Sequence, residues 1–106
     1  MRAITVRDGL FEAILHHMLN DERLIAYGED CREWGGAFGV YRGLSELLPY
    51  HRLFNAPISE AAIVATAVGY ALEGGRALVE LTLTTEVRPC SAPGMVSLCS
   101  IAFSMT

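Results

Sequence analysis

The chain has 106 residues, 52% of them hydrophobic and 19% charged, and a formal net charge of −4. That length suits one small domain or a piece of a larger one. The acidic balance, the lack of any lysine and the scattered arginines argue against a phosphate-neutralising nucleic-acid surface and a polybasic membrane patch.

No stretch approaches the ~20 apolar residues needed to span a bilayer. The longest run, Ala61 to Leu72, suits a buried helix better. The N-terminal residues lack an apolar signal core, so the expected location is cytoplasmic. Cys31, Cys90 and Cys99 form no close CxxC pair and are expected to be reduced thiols.

Asp8 is placed to cap a first helix running to about Asn20. Leu10, Ile14 and Met18 repeat at helical spacing with Phe11, Leu15 and Leu19 beside them, opposite Glu12, His16 and Asn20. Leu24-Ile25-Ala26-Tyr27, stopped by Gly28, predicts a buried parallel strand. Residues 29–39 are polar and glycine-rich, which predicts a loop. A second helix is expected from Tyr41 to Leu48, ended by Pro49. Arg52 to Asn55 predicts a second strand. After Pro57, Ser59 is placed to cap a third helix, Glu60 to Glu73, whose apolar residues run nearly all round and predict burial. Gly74-Gly75 ends it, and a third strand begins at Ala77.

This alternation predicts an α/β fold, a parallel sheet with helices on both faces. Ligands of such sheets bind beyond the carboxyl ends of the strands. The loops after Tyr27, Phe54 and Leu81 are therefore the candidates, and among them the loop after Phe54 carries an acidic group at a helix start. There, in Ala56-Pro57-Ile58-Ser59-Glu60-Ala61, the carboxylate of Glu60 stands among apolar neighbours. Two readings apply. A first-turn glutamate is favoured by the helix dipole, by about 0.3–1 kcal/mol. A carboxylate in apolar surroundings is otherwise costly unless something pairs with it.

Other features point less far. His16 and His17 are adjacent on a helix and face apart, so they do not chelate one metal. Gly35-Gly36-Ala37-Phe38-Gly39 lacks the spacing of a phosphate cradle. Trp34, Phe38 and Tyr41 read either as an aromatic contact surface or as core packing. Asp30 and Glu33 read as solvated loop residues.

Several runs together carry a resemblance: Ile4-Thr5-Val6-Arg7-Asp8, Tyr27-Gly28-Glu29-Asp30, Gly36-Ala37-Phe38, Tyr41-Arg42-Gly43-Leu44, Pro57-Ile58-Ser59-Glu60, Ala67-Val68-Gly69, Gly75-Arg76 and Val79-Glu80. In this order and spacing the chain resembles the beta subunit of the thiamine-diphosphate-dependent first component of 2-oxo acid dehydrogenase complexes. The resemblance implies a transketolase-like pyrimidine-binding domain, present only in its N-terminal part (residues 1–81). It implies that Glu60 hydrogen-bonds N1′ of the cofactor aminopyrimidine as the catalytic carboxylate and that Ile58 lines the ring. A proton shared with N1′ would favour the imino form that deprotonates the thiazolium, and the cofactor then serves as electron sink for decarboxylation. A low-dielectric setting around Glu60 would strengthen that bond. The diphosphate and its Mg²⁺ would be held by an alpha subunit, so no metal site is expected here. A lipoyl-bearing acyltransferase would be a further partner.

Departures accompany the match. The family places a hydrophobic and an aromatic pyrimidine contact just past the third strand, where Thr82 and Glu86 stand here. Two alternatives remain open: a transketolase-like transferase domain, and a truncated interaction fragment without activity.

From Thr82 to Thr106, eight of 25 residues are Ser or Thr, against four of the preceding 81. This divergent tail begins where the resemblance stops, and a shifted reading frame is one expectation for it. Ala92-Pro93-Gly94-Met95 is what a coding stretch for Arg-Ala-Gly-Asp, a run associated with related chains, yields when read one nucleotide late. Translating the other two frames downstream of Leu81 tests this. The frameshift predicts that one of them continues the family pattern; if neither does, the tail is genuine sequence.

Overall fold

The computed structural model describes residues 2–36 and 38–81. The tail from Thr82 onward, with Cys90, Cys99 and Glu86, lies outside the described residues.

The first helix, α1, spans Val6–Asn20. Its cap is Thr5, not Asp8: the Thr5 hydroxyl accepts the Asp8 N–H at 3.1 Å, and Asp8 stands in the first turn. Thr-x-x-Asp places a hydroxyl and a carboxylate at the two capping-box positions, a pattern already visible in the sequence. Met18 is fully buried, and Leu10, Phe11, Ile14 and Leu15 pack against the core beside it. Leu19, expected on the same face, is 68% exposed, because it lies one step beyond the edge of the apolar stripe.

Strand β1, Leu24–Gly28, is central. It pairs in parallel with β2, Leu53–Asn55, on one side and with β3, Arg76–Glu80, on the other, in the order β2-β1-β3. Gly28 stands level with both Asn55 and Glu80, so these three residues mark the carboxyl edge of the sheet. The short helix α2 occupies Leu44–Leu47, shorter than expected because Tyr41 to Gly43 form a turn in which Gly43 adopts a φ of 90°. Helix α3 spans Glu60–Leu72.

Strand residues alternate between two cores, as a pleated strand requires. Leu24, Ala26 and Leu53 face Met18, Val40, Tyr41, Leu44 and Leu48 under α1 and α2. Tyr27, Ala77 and Val79 face Ile63 and Ala67 of α3. Tyr27 stacks on Phe54 with centroids 4.9 Å apart, and its hydroxyl donates to the Ile63 carbonyl at 3.0 Å. The expectation of a buried α3 is corrected: Ala61, Ala62, Ala65, Gly69 and Leu72 are exposed. The three strands of the described residues present enough surface to cover only one face of this helix. Among the described residues no helix is long and apolar enough to cross a membrane.

Two half-buried arginines tie these elements together. Arg52 donates from Nε to the Leu24 carbonyl at 2.8 Å and from Nη2 to the carbonyls of Met18 and Asp21, each at 2.7 Å. Arg32 donates to the carbonyls of Leu48 at 3.2 Å, Leu53 at 2.8 Å and Ser45 at 3.1 Å, with its guanidinium over the Tyr50 ring. The fork supplies several donors to carbonyls left over where helices and strands end. Replacing Arg52 with Met leaves the stem's packing and removes every donor, so we expect a loss of about 2–3 kcal/mol. Urea unfolding of the two proteins measures it; equal midpoints would show that water replaces the guanidinium.

Candidate functional site

Pro57 fixes the approach to α3, and the chain arrives directly from the carboxyl end of β2. Ser59 is the N-cap residue in extended conformation, yet its side chain makes no capping hydrogen bond; its carbonyl accepts from the Ile63 N–H at 3.0 Å. Glu60 is the first helical residue and half-buried. Its carboxylate has no hydrogen bond or ion pair to another described residue. Ile58 is 79% exposed, which for a large aliphatic group leaves most of its apolar surface to be covered. The two predicted site residues thus sit together on one short segment beyond the carboxyl end of β2. Within this chain Glu60 is only half-buried, so the expected low-dielectric setting would depend on further covering groups.

Between α3 and the β1–β2 side of the sheet lies an apolar cavity of about 420 Å³. Ile25, Tyr27, Phe54, Pro57, Ser59 and Ile63 are among its walls. It opens beside the segment that carries Ile58 and Glu60.

The structure adds two acidic residues that the sequence reading did not single out. Glu29 and Glu80, at the carboxyl ends of β1 and β3, are only 7% and 6% exposed. Glu29 Oε1 has no hydrogen-bond partner among the described residues. The Cys31 thiol donates to Glu80 Oε2 at 3.6 Å. A Cβ on Gly36, which holds a φ of +79°, would run into the same carboxylate. The available signal was a glutamate at the end of each apolar strand run. Asn55 completes the edge: its Oδ1 accepts the Arg32 N–H at 2.8 Å and its side-chain amide donates to Glu33. The aromatic trio divides, with Tyr41 buried in the core and Trp34 and Phe38 on the surface.

Burial, the facing Glu80 carboxylate and the hydrogen bond to it, with Asp30 and Glu29 further off, push the Cys31 thiol far above its ordinary value of 9.0. The thiol therefore stays protonated in the fold and is a poor nucleophile.

These features define an α/β domain with its candidate site at the carboxyl edge of a parallel sheet. The pyrimidine-binding domain of transketolase matches residues 2–85, and the chain belongs to this family. It is 38% identical over 81 residues to the beta subunit of the pyruvate dehydrogenase E1 component of Acholeplasma laidlawii, covering 76% of this chain and 25% of that one. It is 37% identical over 73 residues to the 3-methyl-2-oxobutanoate dehydrogenase beta subunit of Mycobacterium tuberculosis, covering 69% and 21%. A pyruvate dehydrogenase E1 beta subunit of Rickettsia bellii is 38% identical over 77 residues, covering 73% and 24%. The chain thus spans about a quarter of the length of these curated relatives.

The Cys31 environment has a measurable consequence. Because the folded thiol binds its proton more tightly than the unfolded one, stability attributable to Cys31 is constant below about pH 9 and falls as pH rises above it. Urea midpoints from pH 7 to 10.5 should fall more steeply for the natural chain than for Cys31→Ala. Parallel slopes would mean that the thiol is not sequestered.

Proposed function

We propose that this chain supplies the aminopyrimidine half of a thiamine diphosphate site in a 2-oxo acid dehydrogenase acting on pyruvate or a branched-chain 2-oxo acid. An alpha subunit would hold the diphosphate and Mg²⁺, and a lipoyl-bearing acyltransferase would take the acyl group onward. The observation that carries this reading is the Glu60 carboxylate, which no described residue engages, on the first turn of α3 beside the exposed Ile58. A carboxyl group open to share a proton and an aliphatic surface open to cover a flat ring fit an aminopyrimidine.

When bound, thiamine diphosphate supplies a carbanion-stabilising centre for decarboxylation. The chain's own residues do the rest. Glu60 holds or gives a proton at a ring nitrogen. Ile58 and the apolar wall behind it exclude water from the ring and strengthen that hydrogen bond. Glu29, buried with one unengaged carboxylate oxygen, stands where a donor on a covering chain would satisfy it.

The small share of its relatives that the chain covers supports a second reading for the chain alone, that of a fragment without activity. Calorimetry with Mg²⁺ and thiamine diphosphate should show no micromolar binding to the isolated 106-residue chain. In a full-length version assembled with its alpha partner, Glu60→Gln should lower turnover by roughly 10²–10⁴-fold with an unchanged melting temperature. Turnover equal to that of the natural protein would return Glu60 to a charge that merely favours the helix start.

A further inference from the structure

In the sheet of the described residues β2 is an outer strand, with β1 on its inner side. Parallel pairing turns every second residue of a strand toward a given neighbour. The Ala26 N–H donates to the Arg52 carbonyl and the Ala56 N–H to the Gly28 carbonyl, each at 2.8 Å, so residues 52, 54 and 56 serve β1. The main-chain groups of Leu53 and Asn55 therefore point outward, where a strand of another chain could pair with them. The approach to β2 is apolar as well: Leu47 is 60% exposed and Tyr50 62%, and the Tyr50 ring lies 6.5 Å from that of Phe54. Lysine, the residue most often set on such an edge to repel pairing, is absent from the chain.

The outward groups of Leu53 are already engaged. Its N–H donates to the Pro49 carbonyl at 3.2 Å, and its carbonyl accepts from Arg32 Nη1 at 2.8 Å. The same guanidinium donates to the carbonyls of Leu48 and Ser45 and lies over the Tyr50 ring, 5.2 Å from its centroid. Two residues beyond Leu53, Asn55 Oδ1 accepts the Arg32 N–H at 2.8 Å. Backbone and side chain of one arginine thus run along the outer side of β2.

The segment that carries Arg32 is itself held in place. Cys31 is buried with its thiol on Glu80, and the Gly36 N–H donates to the Asp30 carbonyl at 3.0 Å. The guanidinium therefore starts from a fixed backbone and needs little ordering to reach its carbonyls.

A strand arriving from another molecule must lift this guanidinium off three carbonyls and an aromatic face. Its main chain could replace the bond to Leu53, yet it offers a displaced and half-buried cation nothing in return, and an unpaired charge is costly to cover. In a two-fold pairing the same residues face each other, so two Arg32 charges would meet as well.

We propose that Arg32 closes the outer edge of β2 against strand addition by a second copy of the chain. This role is separate from the proposed cofactor site and stands whether or not that reading does. Arg52, which bonds as many carbonyls at the end of α1 and the start of β1, supplies the control.

Sedimentation equilibrium of the 106-residue chain tests this, natural against variant. Arg32→Met keeps the stem but removes the charge and every side-chain donor, and should tighten self-association by at least roughly tenfold. Arg32→Gln, shorter and neutral, should act in the same direction, and it decides the matter if Arg32→Met does not fold. Arg52→Met should associate no more than the natural chain, although it loses as many bonds to carbonyls. Hydrogen exchange locates the contact, because the outward Asn55 amide should become protected when the Arg32 variant associates. Association unchanged in every folded Arg32 variant overturns the proposal. So does association that Arg52→Met shares equally, which would trace it to a loosened fold. Association that leaves the Asn55 amide exchanging freely also overturns it, by placing the contact on another surface.

Discussion

The arrangement depends first on arginine donating to main-chain oxygen. Arg52 bridges the end of α1, the turn after it and the start of β1, while Arg32 bridges α2, its following residue and β2. A small domain cannot bury every chain end inside a hydrophobic core, and helix termini always leave carbonyls without intrahelical donors. A guanidinium serves several such carbonyls from one side chain, because its donors diverge in a plane. An ammonium group concentrates its charge at a point and cannot span the same set. The absence of lysine from the sequence accords with this use of the cation.

What these clamps hold in place is a carboxyl edge built for close approach. A Cβ on Gly28 would overlap the Glu80 carbonyl and come within 2.9 Å of Cys31 Sγ, so only glycine lets β1 end beside β3 in this way. The loop that follows turns through Asp30, at a φ of 56°, and is fastened to Asn55 and Glu80. Buried carboxylates at this edge are costly to desolvate, which ties their retention to a specific environment rather than to general stability.

The exposed side of α3 follows from how little sheet the described residues set against it. Its sequence is apolar nearly all round, but the three strands of the described residues cover only the Ile63–Ala67 side. Small residues such as Ala61, Ala65 and Gly69 allow another element to approach closely, and the much longer relatives have chain enough to supply one. An apolar helix half in water is also a liability for association.

The order of helices and strands, the parallel class and the segment Pro57 to Glu60 were legible in the sequence. They are written in local codes: strands as short apolar runs, helix starts as capping residues, loops as glycine and proline. The same codes misled where two capping candidates stood close together, with Asp8 expected at the cap that Thr5 occupies. The half-covered state of α3 was not legible, because periodicity tells which residues seek cover and not how much cover the chain provides. Nor were the clamps of Arg32 and Arg52 or the burial of Glu29 and Glu80. Each joins residues far apart in sequence, and only the docking of helices on both faces of the sheet sets which charges are desolvated, which are satisfied by carbonyls and which remain open to a partner.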